Sequence, residues 1–254
     1  MGECVKRFIV FLLLVFCSAA HAETETINWY MDDNVYATTT CESGGDITLP
    51  TAPTKYGYTF QGWRLDYTPI EYLESTGTQY IDTGIQQSLY AADLVVKATF
   101  QYNVNTGEKW LMGVSASTYY MPLLVRAGYF QSNIGNGGTD IQTQTVDTNK
   151  HTMICDSVNK TITIDNTQYL YTSNSANISK NIYLFGLNNN GNAHGLSNLK
   201  LYEISFYTGY GDLIRDFIPV LDGAGIPCLY DKVERKFYYN SGTGDFIAGP
   251  VIGG

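Results

Sequence analysis

The chain has 254 residues, with 15 Lys and Arg against 24 Asp and Glu, for a net charge of −9. That balance excludes a dedicated binder of nucleic acid or anionic membrane, because both are held by basic surfaces. Charged residues are only 15% of the chain, while Tyr (21) and Gly (25) are abundant, a mixture that suits strands and turns.

Met1–Ala22 reads as a secretory signal. Lys6 and Arg7 make the positive start, Phe8–Cys17 the apolar run, and Ala20 and Ala22 the small residues at the cleavage positions. The run is shorter than the roughly 20 residues a spanning helix needs, so no membrane span is expected in the mature chain. The expected address is secreted, extracellular or cell-surface. Cys41, Cys155 and Cys228 remain after cleavage. They are odd in number and have no CxxC spacing, which argues against a zinc site. Two readings stay open: a Cys155–Cys228 disulfide, or buried free thiols acting as small apolar groups.

Residues 23–67 read as a small unit. Thr26–Tyr30 and Val35–Cys41 are expected strands around a turn at Met31–Asn34. Gly44 and Gly45 end the second strand, and Pro50 and Pro53 exclude a helix there. Tyr58, Phe60 and Trp63 are its packing candidates. The run Pro53-Thr54-Lys55-Tyr56-Gly57-Tyr58-Thr59-Phe60-Gln61-Gly62-Trp63, with Gly45–Pro50 upstream, resembles the Listeria–Bacteroides (InlB B-type) repeat of bacterial surface proteins. The resemblance implies a β-grasp-like fold and an extracellular setting.

Asp66–Pro69 is a short linker, and residues 68–254 read as a second, larger domain. Glu71–Ile85 is its expected first strand, with Tyr72, Leu73, Tyr80 and Ile81 packing. Its expected partner is the glycine-punctuated aromatic run Gly225–Phe246. Asp93–Tyr102 alternates most cleanly, placing Leu94, Val96, Ala98, Phe100 and Tyr102 on one face. Lys109–Ser115 and Leu123–Ile134 follow, the latter ending in the turn cluster Gly135–Gly138. His151–Asp156, Thr161–Asp165 and Gln168–Tyr171 form a meander. Asn181–Leu187 is apolar on both faces and expected to be central. Leu199–Tyr207 breaks phase: Leu199 and Leu201 point one way, Tyr202, Ile204 and Phe206 the other. A bulge or a two-sided strand accounts for that. Leu213–Val220, Cys228–Tyr230 and Lys236–Tyr239 complete an all-β set.

Tyr72–Ile85, Asn198–Phe206 and Asp216–Gly249 resemble the bacterial concanavalin A-like, laminin-G-type jelly roll. The best-matching runs are Phe217-Ile218-Pro219, Leu229-Tyr230-Asp231, Lys236-Phe237-Tyr238 and Gly242-Thr243-Gly244-Asp245-Phe246. The resemblance implies a two-sheet antiparallel sandwich whose first and last strands lie side by side. Calcium is the one cofactor it brings into view, and no acidic set here matches residue by residue.

No Gly-x-Ser-x-Gly, HExxH or EF-hand loop is present, and Gly242-Thr243-Gly244 precedes no helix that would make it a phosphate cradle. The Glu-x-Asp-x-Glu strand pattern of glycosidases on such folds is absent, and Glu71 and Glu74 fall on opposite faces of a strand. No catalytic residue is assigned. Binding chemistry lies in two loops. Ser117–Met121 carries Tyr119 and Tyr120 for stacking on a sugar ring. Asn188–His194 carries Asn188, Asn190 and His194 for hydroxyl hydrogen bonds. The expected protein is a non-catalytic binding or adhesion module for a glycan or a surface protein. A glycoside hydrolase and a purely structural surface or fibre module are the alternatives.

Overall fold

The computed structural model describes residues 24–31, 34–42, 46–60, 62–63, 67–86, 88, 94–104, 106–116, 118–135, 141–172 and 178–252. The signal reading of Met1–Ala22 lies outside these residues. So do the turn centre 32–33, the Gly44-Gly45 break, Gln61, Asp66, Asp93, Ser117 and most of the Gly135–Gly138 cluster. The chain divides into two compact units, Met1–Thr68 and Pro69–Gly254.

In the first unit β1 (Thr24–Met31) and β2 (Asn34–Glu42) form one antiparallel hairpin with a bulge between Trp29 and Tyr30. Ile27 and Trp29 are buried and pack with Ala37, Cys41 and Trp63. Trp63 meets Trp29 edge-on at 5.1 Å and donates from Nε1 to the carbonyl of Pro50 at 3.3 Å. The repeat motif turns at Lys55–Tyr58, where the Tyr58 amide returns to the Lys55 carbonyl and Gly57 takes φ of 77°. A type II turn needs glycine at that position.

β3 (Thr68–Pro69) falls at the boundary, and the second unit continues with β4 (Leu73–Thr76) and β5 (Ile81–Gln86). Next come β6 (Val95–Tyr102), β7 (Lys109–Ser115), β8 (Tyr119–Arg126), β9 (Tyr129–Gly135) and β10 (Ile141–Thr145). The meander is β11 (Lys150–Asp156), β12 (Thr161–Ile164) and β13 (Thr167–Leu170), followed by β14 (Asn181–Leu184), β15 (Leu187–Asn189) and β16 (Asn192–His194). β17 (Asn198–Tyr207), β18 (Leu213–Leu221), β19 (Pro227–Asp231), β20 (Lys236–Tyr238) and β21 (Ile247–Ala248) close the unit.

These strands build a jelly-roll sandwich. One sheet runs β13-β12-β11-β6-β17-β18-β19-β20, with β4 paired to β17 and β21 to β4. The other runs β10-β9-β8-β7-β14-β5. Pairing is antiparallel except where β15 runs parallel to the end of β7. The core lies between the sheets. Val96, Ala98, Phe100 and Tyr102 of β6 face it as the alternation requires, and Phe100 meets Phe130 of the opposite sheet at 5.9 Å.

Three expected strands change shape. Glu71–Ile85 is two strands in different sheets, broken by the turn at 77–80. Leu123–Ile134 is two strands joined at Ala127-Gly128, both with positive φ (51° and 82°). The phase break in Leu199–Tyr207 is a bulge: register shifts between Leu201 and Glu203 opposite β6, so Leu199, Leu201, Ile204 and Phe206 all reach the core.

Cys155 and Cys228 are free and buried, which corrects the disulfide reading. Cys155 sits on β11 and Cys228 on β19, with β6, β17 and β18 between them in one sheet. Four strand spacings of about 4.8 Å put them roughly 19 Å apart, well beyond the ~7 Å limit for bridging. Burial pushes both thiols up to about 12.

The two ends of the unit are zipped together. β21 pairs with β4, Glu71 donates to Pro250 O at 2.8 Å, and Ile252 donates to Pro69 O at 2.9 Å. Further on, Thr243 N donates to Thr78 O at 3.1 Å and Ser241 N to Tyr80 O at 2.9 Å. Gln79 is buried at the centre of this seam. Its Oε1 accepts from Thr76 N at 2.9 Å and Ser75 Oγ at 3.0 Å, while its Nε2 donates to Asp245 O at 2.8 Å. Gly242 is required here, because a Cβ would stand 2.2 Å from Thr78 O. Gln79→Ala leaves a buried amide and carbonyl without partners, and is expected to lower unfolding free energy by about 2 kcal/mol. Urea denaturation with an unchanged m-value checks this.

Candidate functional site

The two loops singled out for binding meet at Ser115. On one side Ser115 pairs with Tyr119 across β7–β8. On the other it pairs with Asn189 of β15, and its carbonyl accepts from Asn190 N at 2.7 Å. The end of this sheet therefore carries Tyr119 and the β15–β16 turn as neighbours.

Local backbone chemistry places that turn. Phe185 is buried in a left-handed conformation, φ 63°, against Phe246 at 4.9 Å. Its amide donates to Leu111 O and its carbonyl accepts from Ser197 N, both at 2.8 Å. Held there, it reverses the chain after β14, so the apolar run Asn181–Leu187 does not continue as one strand. β15 then returns along the same side of β7. Asn190 and Gly191 follow with φ of 52° and 99°, the pattern of a two-residue type I′ hairpin turn.

Asn188 belongs to the scaffold, which corrects its reading as a ligand contact. It is 3% exposed; its Nδ2 donates to Asn181 O and its Oδ1 accepts from Gly191 N, both at 2.7 Å. The side chain thus fastens β15 to β14 and closes the turn. Tyr120 is also corrected. It is fully buried among the core residues, beside Cys155, and burial drives its hydroxyl well above the ordinary tyrosine range. Strand period 2 sends Tyr119 the other way, and Tyr119 is 40% exposed. Asn190 is exposed at the turn, with Asn189 and Asn192 exposed as a cross-strand pair beneath it.

His194 is exposed but stands apart, 5.3 Å from the Trp110 ring. It lies at the far end of β16, over a small apolar cluster of Trp110, Leu124 and Leu187. Gly195 beside it has room for no side chain, since a Cβ would fall 1.4 Å from the Trp110 ring.

The rim therefore consists of the Tyr119 ring and the amides of Asn189, Asn190 and Asn192. An exposed ring offers an apolar face, and each amide offers two donors and an acceptor. Glu74 accepts from Asn103 at 2.7 Å and Glu203 from Thr99 at 2.8 Å, both in the other sheet. Among the described residues, no group of three or more His, Cys, Asp or Glu could hold a metal ion.

Sequence reasoning passed over Ser115 and Asn189. Ser115 acts through its backbone, so its side-chain type carried no signal. Asn189 gave the same signal as Asn188, and only strand facing separates them.

Residues 26–92 match the Listeria-Bacteroides repeat domain, the family expected from Pro53–Trp63. Solved structures similar to the chain include the mouse laminin alpha1 chain, domains LG4-5, at 14% identity and a TM-score of 0.41. That alignment covers 87% of this chain and 51% of the laminin chain, so this chain spans about half the length of that structure. No curated protein matches.

Asn188→Ala is expected to loosen the β15–β16 hairpin while sparing the core. The Gly191 amide should exchange at least about tenfold faster, and global stability should fall by only about 1 kcal/mol. Hydrogen exchange read residue by residue checks both.

Proposed function

We propose that this protein is an exported, surface-associated binding module that recognises a neutral glycan through the Tyr119–Asn190 rim and performs no chemistry on it. The observation that carries this reading is the double pairing of Ser115. It converts two loops distant in sequence into one surface holding an exposed ring beside three exposed amides. A ring face suits the apolar C–H face of a pyranose, and amides suit its hydroxyls. The described rim offers uncharged amides and a ring face, chemistry that suits a neutral sugar. The hairpin base is rigid, so little ordering cost falls on binding. The repeat match and the export pattern of Met1–Ala22 support the extracellular address. Surface-protein recognition, glycan cleavage and a purely structural role are the competing outcomes.

A glycan array with the wild-type chain, run with calcium and with chelator, tests this. Neutral oligosaccharides should be retained, and Tyr119→Ala should weaken binding by about tenfold with unfolding unchanged. Binding that survives Tyr119→Ala, or retention of no glycan at all, would overturn the assignment. Sustained release of reducing sugar from retained glycans would make the protein an enzyme.

A further inference from the structure

A polar cluster that the rim does not use lies in the large unit, where the β10–β11 crossover meets the β12–β13 turn. We propose that His151 is a proton-operated clasp, whose imidazolium ties the β10–β11 crossover to the β12–β13 turn and releases the crossover when the ring loses a proton.

The ring is held between the sheets. Its side chain is 6% exposed and lies 5.9 Å from Phe100 of β6 and 5.0 Å from Phe130 of β9, one ring from each layer. Both nitrogens then meet carboxylates. Nδ1 is 2.5 Å from Oδ2 of Asp165, in the β12–β13 turn, and Nε2 is 2.9 Å from Oδ1 of Asp147, in the crossover. An ionised carboxylate has no hydrogen to give, so both contacts are hydrogen bonds only when both nitrogens carry hydrogen. That form is the imidazolium.

Both partners are held ionised. The Asn149 amide, 2.6 Å from Oδ1, lowers Asp147 first, and His151 adds to it. Burial works against Asp165, but hydrogen bonds from His151, Thr152 N and Gln144 outweigh it and its carboxyl falls below the ordinary range. The ionisable groups facing the ring are thus Asp147 from the crossover and Asp165 from the turn. β6 and β9 present aromatic rings, and β10 presents Gln144 to Asp165. Lys150, next in the chain, sends its Nζ over the Tyr202 ring instead, 3.7 Å from the centroid.

A neutral imidazole keeps one N–H and turns a lone pair toward the other carboxylate. The contact that fails is the weaker-anchored one. Asp165 has two further donors and ties β10 to the turn through Gln144, whereas Asp147 is half exposed on a short loop. Deprotonation therefore releases Asp147 and loosens the turn to Asn149, while Val146 stays in the core on Gly128 O and Thr148 O stays on Gln101 Nε2 at 2.8 Å. The double contact exists while the ring is charged and is lost as rising pH removes its proton. At the acid end, both carboxylates lose their contribution as pH falls below about 4. The clasp is closed between those limits.

Nitrogen-15 NMR of the imidazole in the intact chain, recorded from about pH 5.5 to about pH 9, tests this together with hydrogen exchange at Asn149. Both ring nitrogens should be protonated at the acid end. As the ring titrates, the Asn149 amide should gain about tenfold or more in exchange beyond its intrinsic pH dependence. Asp147→Asn, a half-exposed and mild change, should move the titration to lower pH and remove the pH-linked step at Asn149. A ring already neutral at the acid end, or a titration and exchange profile that Asp147→Asn leaves unchanged, would overturn the proposal.

Discussion

The sandwich depends on the hydrogen-bonded seam between the segment 69–80 and the segment 240–252. A β-sandwich has open edges, and each exposed strand carries unpaired N–H and C=O groups. Here β4 is only four residues long, too short to hold a place in the sheet by its own contacts. It is held because β17 pairs with it on one side and β21 on the other. Gln79 then joins the turn after β4 to the chain at Asp245 from within the protein, where a hydrogen bond is stronger and an unpaired group costlier than in water. Closure of this kind is non-local, so the chain must have both ends available before the core is complete.

The same seam positions the rim indirectly. Phe246, directly after Asp245, is the ring against which Phe185 packs. A left-handed backbone at an aromatic residue costs of order 1 kcal/mol or more, and it persists only where packing over-determines it. Phe185 is fixed by Phe246 and by two backbone hydrogen bonds, and the chain reversal that follows sets β15 beside β7. The exposed asparagines are thus placed by buried residues far from them in sequence. That is the usual arrangement in which rigid layers carry variable loops.

The strands that alternate cleanly were legible in the sequence. Leu94 to Tyr102 faces inward as its pattern requires, and the meander from His151 to Tyr171 falls within one residue of its expected bounds. Leu199–Tyr207 shows the limit of periodicity: the phase break was visible, but only pairing with β6 shows that it is a bulge. The binding residues were half legible. Two adjacent tyrosines must face opposite ways, yet nothing local says which is inside. Asn188 and Asn190 belong to one polar run, and only the carbonyl of Asn181 and the amide of Gly191 make the first structural. The meeting of the two loops at Ser115 was not legible at all, because it is a backbone event between segments some seventy residues apart.

Hydrogen exchange at the amides of Glu71, Ser241, Thr243 and Gly249 tests the seam most directly, since each donates across it. They should exchange in the slowest class, together with the amides of β6 and β17, and only through global unfolding. Exchange at those four positions within seconds, while β6 and β17 stay protected, would mean that the ends of the unit are not joined and that the sandwich stands without its seam.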